Sequence, residues 1–226
     1  MKQTHVSKKY EFVVVATDVV ICTVRDGELQ VLLIKMKKHP YEKSWALPGG
    51  LIGSGESVDA AAKRQLKEKT GVDTVYLEQL FTFGDVKRDP FGRVVSVAYF
   101  ALIPSDNIRL RTTDQYGGVD WFPVRHLPQL AYDHREIIRM AVARLKSKLT
   151  YSNIAYSLLP KRFAITELQH VYEVILEHDI DKRNFRKKIL SLDIVRPTGE
   201  LQSGVKNRPA ELFEFTSRRP QIIEML

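Results

Sequence analysis

The sequence has a single cysteine among 226 residues, which excludes an internal disulfide framework. Cys22 lies inside an apolar run with no placed base beside it, so it reads as a packed core residue and not as a nucleophile. There is also no apolar run long enough to cross a bilayer. The longest, "FVVVATDVVICTV", is interrupted by Asp18 and is too short to span a bilayer. The opening stretch "MKQTHVSKKYEF" carries basic residues but lacks the apolar segment and small-residue cleavage site of a secretory signal. The expectation is a cytoplasmic protein with no membrane partner. Internal repeats and low-complexity tracts are absent as well, which removes solenoids and linker-like chains.

What is present is the material of a folded protein. Hydrophobic residues make up 44% and charged residues 27%, enough for one large domain or an ordinary one plus a small one. The formal charge is +8, which favours polyanionic partners by long-range steering. Residues 151 to 226 hold 12 Lys plus Arg against 10 Asp plus Glu, so that part is not basic overall. Any nucleic-acid contact there must rest on local clustering.

Residues 11 to 23 are rich in Val, Ile and Thr, and "LQVLLIKM" follows Asp26-Gly27, a strong hairpin signal. "WALPGGLI" ends in a glycine turn. A helix is expected from an N-cap at Ser57 to a terminating glycine at Gly71. "VYLEQLFTFG", "VVSVAYFALI" and "VDWFPV" read as strands, and residues 133 to 149 as a helix with Ile137, Ile138, Ala141, Leu145 and Leu149 at helical spacing. Beyond residue 150 the pattern changes. "YSNIAYSLL", "TELQHVYEVILEH" and "DKRNFRKKILS" read as three short helices, the latter two opening on Thr166 and Asp181 as N-caps. "DIVRPTGEL" and "AELFEFT" read as two strands joined by "QSGVKNRP". Three helices and a two-stranded ribbon suit a winged helix-turn-helix.

The helix after the glycine turn has the layout of a diphosphate-hydrolysing site, where several carboxylates on one face would hold Mg²⁺ and activate water. Arg64, Gln65, Glu68 and Lys69 share one face. This stretch resembles the Nudix box, with Gly50, Glu56, Arg64, Glu68 and Gly71 in register. Gln65 and Lys69 stand where that family has the first and last acids of its catalytic run. Gln, Glu and Lys⁺ sum to zero where an active member would carry a charge of −3. No catalytic residue, metal or required cofactor is therefore expected from the degenerate box Glu56, Arg64, Gln65, Glu68 and Lys69, and Glu56–Arg64 is expected to persist as a structural ion pair. "KRDPFGRVVSVAYFALI" and "VDWFPVRHLPQLAYDH" resemble the same family, so the likeness covers roughly residues 10 to 150.

In "DKRNFRKKIL", Phe185 and Ile189 are spaced to anchor a helix while Lys182, Arg183, Arg186, Lys187 and Lys188 cluster on its exposed side. Asn184 suits adenine, and Arg183 or Arg186 suits guanine. Lys206 and Arg208 in the expected wing suit backbone contacts. A solvated surface is the plain alternative for such a helix.

The two-part chain is similar to the NrtR-type regulators, in which a degenerate Nudix domain senses a ligand. That resemblance implies an α/β Nudix fold, a mixed sheet between helices, over residues 1 to 150, followed by a small winged helix-turn-helix domain over 151 to 226. It also implies a cytoplasmic homodimeric repressor on a palindromic double-stranded DNA operator, with ADP-ribose or a related NAD-pathway metabolite as effector. The expected effector cleft is near Lys35, Trp45, Gly50, Arg64, Arg88 and Arg93, the last two arginines serving as phosphate partners. A pentose-responsive regulator of the same architecture remains open. So does a residual hydrolase using acids outside the box, such as Glu78 or Asp85.

Overall fold

The longest apolar run becomes the central strand of the molecule. In chain order the first part comprises strands β1 (Val14–Arg25), β2 (Glu28–Lys35), β3 (Trp45–Ala46), β4 (Gly49–Leu51), β5 (Tyr76–Phe83), β6 (Val94–Leu102) and β7 (Gly118–Pro123). Helix α1 (Val58–Thr70) separates β4 from β5, and α2 (His134–Tyr151) follows β7. The structure is a computed structural model and describes residues 12–71, 76–105, 110, 116–203 and 209–224.

The sheet runs β3-β2-β1-β6-β5, with β4 also on β1 and β7 also on β2. β1 and β6 are parallel, and the other pairings are antiparallel, which gives the expected mixed sheet. Asp26 and Gly27, at φ 53° and 74°, supply the two left-handed residues of a tight hairpin between β1 and β2. Alternation along β1 sends its side chains to two cores. Val19 and Ile21 meet Ala62 and Leu66 of α1, while Val20 and Cys22 join a cluster with Ile137, Ile138 and Ala141 of α2. Cys22 is buried and its thiol pKa is pushed up to about 12 by that burial, as suits an inert core residue.

Local capping defines α1 where it was expected. The Ser57 hydroxyl accepts from the Ala60 N–H at 3.2 Å, and Gly71 closes the helix at φ 73°, a conformation that favours glycine.

The second part adds β8 (Phe163–Ala164), α3 (Ile165–Leu176), α4 (Lys182–Ser191), β9 (Val195–Leu201) and β10 (Glu211–Phe215). β10 lies between β8 and β9 in a three-stranded sheet, one strand more than the sequence suggested. Two other expectations change. "YSNIAYSLL" is not a regular helix: α2 runs on to Tyr151, and only Ile154–Ser157 forms a single 3₁₀ turn. The reason is Asn153, whose amide bonds the Arg219 carbonyl at 3.1 Å while its oxygen accepts from the Gln221 N–H at 2.8 Å. The returning C-terminal segment thus competes with helix continuation. α3 begins at Ile165, ahead of Thr166, because the Glu167 carboxylate reaches back 2.6 Å to the Ala164 N–H and caps the helix without a hydroxyl.

One apolar cluster runs from the α2 face of the sheet into the winged-helix part, taking in Leu149, Leu159, Phe163, Leu168, Tyr172, Phe185, Ile189 and Phe213. Among the described residues no helix is long and apolar enough to cross a membrane.

Candidate functional site

A cleft of about 230 Å³ opens beside the glycine turn. Its walls are Ala16, Asp18, Ile34, Met36, Ala46, Leu47, the β4 backbone, Arg88, Asp89, Tyr116, Tyr132 and His134. Gly49 is required by close approach: a Cβ there would lie 2.3 Å from Asp18 Oδ1 and 2.6 Å from the Thr17 carbonyl oxygen. This lets β4 lie flat against β1 and leaves the Asp18 carboxylate at the cleft floor.

Asp18 is the acid that interrupts the long apolar run, and it is fully engaged. Its oxygens accept from Ser96 Oγ at 2.6 Å and from Arg88 at 3.3 Å, and face His134 Nε2 at 3.4 Å. The Leu47 N–H donates to His134 Nδ1 at 2.9 Å, which puts the ring proton on Nε2, toward Asp18. Burial opposes ionisation of Asp18, but His134, Ser96 and Arg88 together outweigh it and hold the carboxyl below its ordinary pKa. Arg88 in turn donates to both oxygens of Asp133 at 2.7 and 2.9 Å. Asp133 is the residue before α2, so the cleft floor is tied directly to the start of that helix.

Six residues were expected at this cleft, and the structure separates them. Gly50 and Arg88 line it; Lys35, Trp45, Arg64 and Arg93 do not. For Lys35 and Trp45 the cause is strand parity: Ile34 and Ala46 face the cleft, so their neighbours point to the other side, where Lys35 Nζ lies 6.0 Å from the Trp45 ring and Trp45 packs edge-on to Phe122. Arg64 is bound bidentately by Glu56 at 2.8 and 3.0 Å and lies 3.6 Å from Glu68, while Glu56 also accepts from the Gly53 N–H. That is the structural ion pair expected of the loop. Arg93 donates to the carbonyls of Gly84 and Asp85, closing the loop between β5 and β6. Arg88, expected to meet phosphate, is 8% exposed and occupied by two carboxylates. Its function in this wall is to hold Asp18 and Asp133 together.

Behind the β4 backbone lies the degenerate box. Gln65 is 5% exposed, and its amide nitrogen would sit 2.8 Å from a Cβ on Gly50. Lys69 is 2% exposed, with its ammonium 4.1 Å from the centre of the Tyr116 ring. Burial lowers its pKa, only partly offset by Glu68. Glu68 is the one carboxylate left, and Arg64 sits beside it. These side chains do not fit a divalent cation, which needs several oxygen donors and would be repelled by both charges. Among the described residues no three His, Cys, Asp or Glu side chains are grouped to hold a metal ion. The acids considered outside the box are engaged elsewhere: Glu78 pairs with Arg144 at 3.1 Å and Lys148 at 2.7 Å, and Asp85 accepts from the Lys87 N–H.

The second candidate surface is α4. Asp181 caps it by accepting from the Asn184 N–H at 2.8 Å, and Phe185 and Ile189 are buried as their spacing requires. Lys182, Arg183, Asn184 and Lys187 are exposed, and Lys188 is partly so. Arg186 leans toward the wing, 5.4 Å over the Phe213 ring and 3.5 Å from Glu211. Lys206 and Arg208 lie outside the described residues.

Two family models match the chain: the NUDIX domain over residues 15–141 and the NrtR DNA-binding winged helix domain over residues 155–215. The ADPR responsive transcriptional repressor NtrR of Acinetobacter baylyi is 37% identical over 210 residues, spanning 91% of this chain and 83% of that protein. The chain belongs to the NrtR family. Shewanella oneidensis NrtR, solved in complex with a 27mer DNA, superposes with a TM-score of 0.80 at 35% identity, covering 89% of this chain and 93% of that one. The Nudix domain of the same protein, solved in complex with ADP ribose, matches 61% of this chain and 92% of its own at 36% identity and a TM-score of 0.54. NrtR architecture, a Nudix domain followed by a DNA-binding winged helix, therefore extends over most of the chain.

Five polar or aromatic cleft residues escaped the sequence reading: Asp18, Asp89, Tyr116, Tyr132 and His134. Only Asp18 left a signal, as a lone acid inside an apolar strand.

Proposed function

We propose that this chain is an ADP-ribose-responsive transcriptional repressor that binds a palindromic operator as a homodimer and does not hydrolyse its ligand. The cleft beside β4 takes ADP-ribose against Gly50, Asp89, Tyr116 and Tyr132. The exposed face of α4, with Lys182, Arg183, Asn184, Lys187 and Lys188, meets the major groove. Arg186, Lys206 and Arg208 serve phosphate contacts at the wing.

One observation carries the reading: a single helix joins the two surfaces. α2 starts beside Asp133, which Arg88 holds in the cleft wall, and runs 18 residues, about 27 Å, toward the winged helix. Near its end Lys146 pairs at 2.8 Å with Glu177, the left-handed residue that closes α3 before the turn into α4. Arg125, just after β7, reaches the same carboxylate at 3.3 Å. A ligand that prefers one setting of the Arg88–Asp133 contact biases one placement of α4, and only one placement matches the half-site spacing. The absence of turnover follows from Gln65, which has no basic oxygen for water, and from the buried ammonium of Lys69.

Thermal unfolding with ADP-ribose in EDTA tests the ligand, and product analysis with Mg²⁺ tests turnover. Stabilisation without metal and intact ADP-ribose are expected. Stabilisation by a pentose but not by ADP-ribose would remove the ligand assignment, and AMP release abolished by Glu68→Gln would make the protein a hydrolase.

A further inference from the structure

Lys69 is the most deeply buried ammonium among the described residues, and its neighbours do not explain it. Among the described residues its closest cation–ring contact is Tyr116 at 4.1 Å, and the neighbouring Glu68 carboxylate acts on it only at a distance, with no ion pair formed between them. A buried cation without an anion is costly, and a ring face offsets only part of that cost. Tyr116 itself lines the cleft, so the ammonium stands one ring behind its wall. Gln65, one turn before Lys69 on the same helix face, abuts Gly50 in that wall.

We infer that the Lys69 ammonium supplies the fixed positive charge that a divalent cation would supply at this position in a diphosphate-binding cleft, so that anion binding here needs no metal. The inference rests on the reading of the cleft as an ADP-ribose site. It explains two features that the reading alone leaves open. One is the shortage of free cations among the described cleft residues, since Arg88 is taken up by Asp18 and Asp133. The other is the burial of a charge that forms no ion pair among the described residues and feels only the neighbouring Glu68. A fixed charge at this low-dielectric site acts on an anion over several ångströms with little screening. Tyr116 keeps the ammonium dry and positioned.

The experiment is calorimetric titration of the full-length protein with ADP-ribose and, separately, with inorganic pyrophosphate. Each titration is run in EDTA and in Mg²⁺, for the wild type and for Lys69→Met. Wild-type affinities equal in EDTA and Mg²⁺ are expected, and Lys69→Met should weaken both ligands about tenfold, the effect of one charge acting on the anion from behind the cleft wall. The unliganded variant should melt no lower than the wild type, because a buried charge has been replaced by an apolar chain of similar length. That separates loss of binding from loss of fold. Pyrophosphate binding that depends on Lys69 without any ADP-ribose binding would remove the nucleotide reading and keep the anion site. Affinity that requires Mg²⁺, affinity unchanged in Lys69→Met, or binding of neither ligand would overturn the inference.

Discussion

Helices α1 and α4 are built alike and placed in opposite surroundings. Both are short, both are capped by an oxygen side chain at their first turn, Ser57 in one and Asp181 in the other, and both are rich in lysine. In α1 the last lysine of the box points inward and is 2% exposed, whereas Lys182, Arg183 and Lys187 of α4 stand in solvent. The difference lies in what surrounds each helix. α1 is covered by the sheet on one side and by Tyr116 near its end, which suits the proposed role of its charge toward a small ligand in the cleft. α4 exposes the basic residues of its first turns, which suits the proposed role toward an extended polyanion. Residue type alone says that both helices favour anions, and burial says which kind.

The comparison is broken most strongly at the network that keeps the cleft rigid. Arg88→Met leaves the buried Asp18 and the half-buried Asp133 without their cation and is expected to cost about 3–5 kcal/mol in urea unfolding. The same network sets an acid limb. Because the Asp18 carboxyl is held below its ordinary pKa, its contribution is complete above about pH 3.9 and is lost as the pH falls through the lower folded value. Asp18→Asn should flatten that limb, and an unchanged limb would contradict the network's electrostatic role.

On α4 the expected effects fall on binding and not on folding. Arg183→Ala and Lys187→Ala should each weaken operator binding by about 1–3 kcal/mol, measured by fluorescence anisotropy. A phosphate contact will lower the salt slope while leaving sequence preference alone, and a base contact will relax preference at one position. Their unfolding free energies should stay within about 0.5 kcal/mol of the parent, since both side chains are exposed.

The smallest effect separates packing from polarity in the winged helix. Tyr172 of α3 is fully buried against Phe185 of α4, and its hydroxyl has no hydrogen-bond partner among the described residues. Tyr172→Phe should stabilise the protein by about 1 kcal/mol in denaturant unfolding, because an orphaned polar group is removed at constant shape.

The features legible in the sequence were local ones. Ser57, Gly71, Asp181 and the Asp26-Gly27 hairpin announce themselves because a cap or turn is decided by residues within one turn of it. Phe185 and Ile189 were legible because helical spacing fixes which face is buried. The cleft was not, because its partners are distant in the chain: Arg88 meets Asp18 across 70 residues and Asp133 across 45. Lys35 and Trp45 were expected at the cleft because their strands reach it, but each lies one residue out of phase, and in a strand that reverses the face. The missing helix at "YSNIAYSLL" was invisible for a related reason, since Asn153 is captured by a segment 68 residues later. Lys69 shows the opposite case. Its identity was legible as a departure from an acidic pattern, but its depth was not.

The central claim is that ligand in the Nudix-like cleft and DNA on α4 compete through α2. Its most direct test is the affinity of the full-length protein for DNA from its own upstream region, titrated with and without ADP-ribose in EDTA. The account predicts that ADP-ribose weakens DNA binding, and that Arg88→Lys, which keeps the charge but loses the two-pronged hold on Asp133, reduces that effect without abolishing DNA binding. An operator affinity unchanged at ADP-ribose concentrations that saturate the cleft would contradict it.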